Sequence, residues 1–343
     1  MKNKGYTFIN VAGLSLGMLC CIILFSFVLS ELSYDKYHAN ADNIYRIGIT
    51  ADFGGQSMNL PVSNAPTAPA LIKDFPEIIN AVRFDKRPRT PVAIGARNFY
   101  EEGIFYVDDS VFEQFSFQLQ KGDPGTVLSQ PYSVVMTEEM AEKYFGEQEP
   151  IGKVLRFNDK NDFTVTGVMS NVPENSHFTF DFLCSFETLY EQNPDAMDVW
   201  MRFNYYTYLQ LKDGTNPEEL ERKFPGFVKT YMEDQLKQMG GSMDFFLQPL
   251  TSIHLNSHLQ GEISANSSIW YVYIFSVVGI LIILIACINF MNLSTARSGE
   301  RAKEVGVRKV LGASKGQLVK QFLGESIVLL VCARWRLLLQ PPN

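Results

Sequence analysis

The sequence predicts a membrane protein, in which transmembrane α-helices flank a large extracytoplasmic α+β domain of two lobes. Three observations carry this. Residues 8–30 and 269–291 hold no charged side chain, and each run exceeds the roughly 20 apolar residues needed to cross a bilayer. Lysines and arginines gather just beyond the outer end of each run. The residues between them, 31–268, are polar and mix strand-like with helix-like apolar spacing. A net charge of −7 gives no basic face for nucleic acid.

Residues 1–7, with Lys2 and Lys4, form a short basic N-terminus, and 8–30 form the first membrane helix. A secretory signal peptide also starts basic. Its apolar core is only about 7–15 residues long and ends in a small-residue cleavage site, which is absent here. Cys20 follows Gly17-Met18-Leu19, so no lipoprotein pattern is present either. The stretch therefore reads as an uncleaved anchor. Within it, Gly13 and Gly17 are spaced GxxxG, which lets two helix backbones approach closely.

The second span opens on Trp270, Tyr271 and Tyr273, as an interfacial aromatic belt does, and is followed by Arg297, Arg301, Lys303, Arg308, Lys309, Lys315 and Lys320. Basic flanks stay in the cytoplasm. Both ends thus face inward and 31–268 lies outside the cytoplasm. Asn289 and Asn292, near the inner end, can bond neighbouring helices, interfacial water or a substrate.

In the middle region, 44–50, 99–107, 133–136, 163–168, 206–211 and 245–250 read as strands from their β-branched and aromatic content. Helices are expected over 66–75, 109–115, 138–145 and 217–237. Thr137 and Asn216 are their N-cap candidates, with Pro217 at the first helical position. Of the cysteines, Cys20, Cys21, Cys287 and Cys332 lie in apolar stretches, and Cys184 alone lies in the middle, which excludes a disulfide within that region.

The apparent catalytic motifs fail on their chemistry. His254 and His258 have i, i+4 spacing but lack the Glu of HExxH, and Asn256-Ser257 favours a turn. Gly146 to Lys153 is one residue too long for a P-loop, and Val154 stands where magnesium needs a hydroxyl. Gly312-Ala-Ser314-Lys-Gly316 matches GxSxG with no His downstream. A capped helix start explains Ser314 better. No catalytic residue, cofactor or metal ligand is expected.

Residues 292–325 carry a basic amphipathic segment. Val307, Val310 and Leu311 share one face, and Gly312 can end that helix. Ser314 with Gln317 forms a capping box for the next. Such an element can lie on lipid or dock on a cytoplasmic protein. The apolar run from Ser326 meets Arg334 and Arg336 and ends in Pro341-Pro342-Asn343. Residues 326–343 thus read as an incomplete third membrane helix with an aberrant tail, as a fragment or a shifted reading frame would leave. A short amphipathic tail is the other reading.

The stretch RAKEVGVRKVLGASKGQLVKQFLGES resembles the segment after the second span in the MacB/FtsX-like permeases of ABC transporters. IHLNSHLQGE and IACINFMNLSTARS are similar to the form common in Bacteroidetes. ELSYDKYHANADNIYRI and SVVMTEEMAEKYFGEQEPIGKVLRF resemble the family's periplasmic core domain. The resemblance implies an N-terminal part of a four-helix permease that works with a second permease copy or half and a separate cytoplasmic ABC ATPase subunit. It implies conversion of ATPase closure into periplasmic movement, for export or efflux of an antibiotic, peptide or lipoprotein, with membrane lipid around it and a periplasmic adaptor or substrate as a further partner. It also implies that the ATPase couples at Arg301, Lys303, Glu304, Val305, Gly306, Arg308, Lys309, Leu311 and Gly312. A two-span sensor whose outer domain binds a ligand is the competing reading. An anchored enzyme is the third, and no convergent nucleophile, base or metal set supports it.

Overall fold

The structure is a computed structural model describing residues 4–310, and it divides into two compact units, Phe27–Ile274 and the helical residues on either side.

The chain begins with α1 (Lys4–Leu32). In the domain, β1 (Ile44–Phe53) and β2 (Gln56–Leu60) form a hairpin, then α2 (Thr67–Asp74) leads to β3 (Ile78–Lys86). Next come β4 (Thr90–Ile94), β5 (Arg97–Glu101), β6 (Ile104–Val107), α3 (Val111–Gln114), β7 (Leu119–Lys121), β8 (Ser133–Thr137) and α4 (Glu138–Phe145). They are followed by β9 (Val154–Phe157), β10 (Asn161–Met169), β11 (Phe182–Ser185), α5 (Glu187–Gln192), α6 (Pro194–Met197) and β12 (Tyr206–Leu211). Then α7 (Pro217–Glu221), α8 (Phe224–Met239), β13 (Gly241–Pro249) and α9 (Ile253–Asn256) precede α10 (Ile269–Val310).

The thirteen strands among the described residues join one mixed sheet, its main path running β13-β1-β12-β3-β6-β11-β8-β10-β9-β4-β5. Most neighbours are antiparallel; β8 with β10 and β6 with β11 are parallel. The sheet runs without a gap, and the core over it divides into three clusters. The first is aromatic, built on Phe84, Phe105, Phe115, Phe178, Phe180 and Tyr208. The second packs α4 on β8 and β10 through Met140, Tyr144 and Val165. The third packs α2 and α8 on β1 and β12 through Leu71, Phe224, Met232 and Leu209.

Local chemistry accounts for the element ends. Thr137 accepts from the Met140 N–H and Asn216 from the Glu218 N–H, capping α4 and α7 as expected. The single helix expected over 217–237 is instead two, because Pro225 sits at the start of α8 and has no N–H to bond back into α7. Likewise the strand expected over 99–107 breaks at Gly103, whose φ of +56° no extended strand accepts. A Cβ there would lie 3.0 Å from the Asp181 nitrogen.

Two helical stretches, Ala12–Leu32 and Ile269–Asn289, are long and apolar enough to cross a membrane. Leu16, Leu29, Ile280 and Ile285 are exposed on them, which a core helix of a soluble protein would not leave bare. In this helix pair Gly17 lets α10 close in: its absent Cβ would touch Ile282 at 3.7 Å and Ala286 at 3.9 Å. Phe25 lies 3.3 Å from where a Cβ of Gly279 would stand, and the Cys21 thiol donates to the Gly279 carbonyl at 3.6 Å. Among the described residues, nothing lies within 4 Å of where a Cβ of Gly13 would stand.

Candidate functional site: a polar joint at the root of the sheet

The residues just after α1 and just before α10 both fold back onto the sheet, and buried polar groups hold them there. Arg46 lies on β1 between Ile44 and Ile47 and is fully buried. Its Nη1 donates to Glu262 Oε2 at 2.6 Å and its Nη2 to Glu262 Oε1 at 2.9 Å. Nη2 also reaches Gln248 Oε1 at 2.6 Å and Ser257 Oγ at 3.0 Å. Ser257 Oγ in turn donates to Glu262. Burial alone would raise the Glu262 carboxyl, but the Arg46 guanidinium outweighs it and holds the group below its usual range.

The segment around Glu262 is pinned at further points. Tyr206 Oη donates to the Gly261 carbonyl at 2.6 Å and Lys86 Nζ to the Ile263 carbonyl at 2.6 Å. The approach to α10 is therefore fixed to β1, β3 and β12 together.

On the α1 side the centre is Asp35, fully buried and with φ of +58°. Its N–H donates to the Asn175 carbonyl at 2.9 Å, and Oδ1 accepts from the His177 N–H at 3.1 Å and Ser176 Oγ at 3.3 Å. Oδ2 lies 2.9 Å from His177 Nδ1, and His177 Nε2 lies 2.6 Å from Tyr208 Oη. Burial pushes the Asp35 carboxyl up, and the neighbouring His177 ring and backbone N–H more than reverse this, leaving it lowered. Burial raises Tyr208, so its phenol stays protonated.

Histidines bridge the two segments twice. The His177 carbonyl accepts from Ser264 Oγ at 2.8 Å, so this one residue meets Asp35 after α1 and Ser264 before α10. His254 does the same. Its Nε2 lies 3.2 Å from Glu31 Oε2, its ring stacks on Tyr34 with centroids 3.3 Å apart, and its carbonyl accepts from the Ser267 N–H at 2.9 Å. His258, beyond the single turn of α9, is exposed. A third histidine, His38, sits beneath the joint. Its Nδ1 accepts from the Ser116 N–H at 3.0 Å, which places the proton on Nε2, among Phe115, Phe117 and Phe178. Burial pushes His38 down to about 4.

The residues that the family resemblance assigns to ATPase coupling lie elsewhere. Arg301, Lys303, Glu304, Val305, Gly306, Arg308 and Lys309 fall on α10, which continues without interruption from the apolar span to Val310. Leu311, Gly312 and the expected third span lie outside the described residues. No sequence pattern assembled Asp35, His177, Arg46 and Glu262, which come from four separate parts of the chain. The one local signal was a charged residue, Arg46, between the apolar residues of a strand.

Comparison with known proteins agrees with this architecture. Residues 7–226 match the MacB-like periplasmic core domain and residues 276–333 the FtsX-like permease C-terminal region. A macrolide export ATP-binding/permease protein MacB from Neisseria meningitidis is 26% identical over 231 residues, which are 66% of this chain and 33% of that protein. Its namesake from Campylobacter fetus is 26% identical over 217 residues, covering 62% and 30%. The chain thus spans about a third of the length of the curated relatives it matches. A crystal structure of a domain assigned to a permease protein from Porphyromonas gingivalis aligns with a TM-score of 0.56 at 18% identity, covering 62% of this chain and 91% of that one. That likeness is one of fold.

Two outcomes are expected. Arg46→Met or Glu262→Gln alone lowers stability by about 3–5 kcal/mol, because each strands a buried charge, whereas Arg46→Met with Glu262→Met loses less than either; urea unfolding followed by Trp200 fluorescence checks this. Between pH 6.5 and about 4 the unfolded chain protonates His38 while the folded chain does not. Stability therefore falls as pH drops through that window, by on the order of 3 kcal/mol for this group, and His38→Asn flattens that part of the profile.

Proposed function

The chain belongs to the MacB-like periplasmic core domain family with an FtsX-like permease region, and from that premise we propose that it is a permease subunit of an ABC transporter that transmits ATPase motion to its outer domain. It acts in the bacterial inner membrane, with residues 31–268 in the periplasm and the basic flanks of both spans in the cytoplasm. ATP hydrolysis occurs in a separate cytoplasmic subunit, and this chain contributes no catalytic group. A second permease copy or half completes the assembly. The cargo is an antibiotic, peptide or lipoprotein handled on the periplasmic side.

The observation that carries this reading is the joint itself. His177 and His254 each bond both the segment leaving α1 and the segment entering α10. A ligand-binding module needs only a tether to its membrane helices. Tying both helix ends to the same central strands through buried, charged bonds makes a movement of either helix a movement of the sheet. The length of α10 supports the same reading. Its 42 residues extend about 63 Å, twice the roughly 30 Å hydrocarbon core. One helix thus runs from the end of the outer domain to the basic residues 301–309, where an ATPase would dock, while Gly13 on α1 would face further helices within the membrane.

Arg308→Glu with Lys309→Glu in the intact permease should abolish stimulation of the partner ATPase while the outer domain keeps its thermal transition. Stimulation equal to the unaltered protein's would rule out coupling at this segment.

A further inference from the structure

We propose that residues 171–177, between β10 and β11, form a strap that relays displacement of the segment after α1 to the first turn of α4 and so sets the width of the cavity between them. The proposal deepens the transmission role and takes from it only the source of the displacement.

The connection over 170–181 is neither helix nor strand, yet both of its ends are held. At the root end, Asn175 Nδ2 donates to the Ser33 carbonyl at 3.2 Å and to Ser33 Oγ at 3.0 Å. The Asn175 carbonyl accepts the Asp35 N–H, and Ser176 and His177 take the Asp35 carboxylate. Four residues earlier, Asn171 Oδ1 accepts from the Glu139 N–H at 3.1 Å. That N–H is one of the donors in the first turn of α4 that have no partner within the helix. The first turn thus has two caps, Thr137 from its own strand and Asn171 from the strap. Beyond the root, Phe178 and Phe180 are buried in the aromatic cluster and the Thr137 N–H donates to the Asp181 carbonyl at 3.0 Å.

The strap therefore crosses from the first core cluster, which underlies the joint, to the second, which holds α4. Between strap and helix opens a cavity of about 350 Å³, walled by Asn171, Glu174 and Thr179 on one side and Thr137 and Glu139 on the other. Its width is the distance from the strap to the start of α4. The strap's root is also the one place in the joint where a buried residue other than glycine holds a left-handed backbone, Asp35 at φ +58°. Such a conformation persists only while its surroundings enforce it. The surroundings here are the strap, so a shift of either one releases the other.

Hydrogen exchange of the full chain in lipid nanodiscs tests this without nucleotide or ATPase. Asn175→Ala with Asp35→Ala removes the side-chain bonds that hold the root end and is expected to speed exchange at the Glu139 and Met140 amides about fivefold, the loss of one net hydrogen bond. Asn171→Ala cuts the α4 end and should produce the same rise. In a relay the variant carrying all three changes exchanges there no faster than Asn171→Ala alone. If the root pair prevents folding, Ser33→Ala removes the Oγ acceptor and is read at the same amides. Unchanged exchange at Glu139 and Met140 in the root variants, or effects that add in the combined variant, would overturn the strap. Either result leaves the permease role standing, since that role is judged by ATPase stimulation.

Discussion

The outer domain depends on a charge buried where water cannot reach it. Arg46 is fully enclosed on β1, and Glu262, 216 residues later, supplies a bidentate carboxylate, with Gln248 and Ser257 adding bonds. Removing two such ions from water costs several kcal/mol each, and their attraction offsets this only when geometry is good and the remaining polar sites are filled. An apolar pair would stabilise as well. What the ion pair adds is direction: Glu262 can satisfy Arg46 in one place, so the segment entering α10 has one seat on the sheet.

The same logic repeats at Asp35 and His177. A carboxylate in the interior is held by a histidine whose other ring nitrogen meets a buried phenol, and whose carbonyl accepts a serine hydroxyl from before α10. Each bond joins segments remote in sequence, Asp35, His177, Tyr208 on β12 and Ser264, so they are made together in the assembled domain. Cooperativity follows from topology. The compact unit Phe27–Ile274 includes the last turn of α1 and the first turn of α10, as expected if those turns belong mechanically to the domain.

The parts legible in the sequence were those set by local pattern. Charge-free runs over 8–30 and 269–291 overlap the two helical stretches long and apolar enough to cross a membrane, Ala12–Leu32 and Ile269–Asn289, because exclusion of charge is a composition property. The strand over 206–211 matches β12 at both ends, since alternating apolar residues between turn signals define it. The failures have equally local causes: Gly103 breaks the strand expected over 99–107, and Pro225 splits the helix expected over 217–237. The joint was illegible for the opposite reason. His254 suggested, and argued against, a metal site through its spacing to His258, while its actual partners, Glu31 and Tyr34, are more than 200 positions away. Nothing in local periodicity pairs Arg46 with Glu262 or Asp35 with His177. The GxxxG spacing likewise pointed to a close helix contact without telling that Gly17 would lie against Ile282 and Ala286 of α10.

The central claim is that the segment entering α10 is seated on the sheet and moves with it as one body. The distance between spin labels at Gln260, in that segment, and Lys237, on α8, measures this directly in the permease assembled with its ATPase. The account predicts the same distance distribution without nucleotide and with ATP bound. A nucleotide-dependent shift in that distance would mean that the joint yields rather than transmits, and would contradict it.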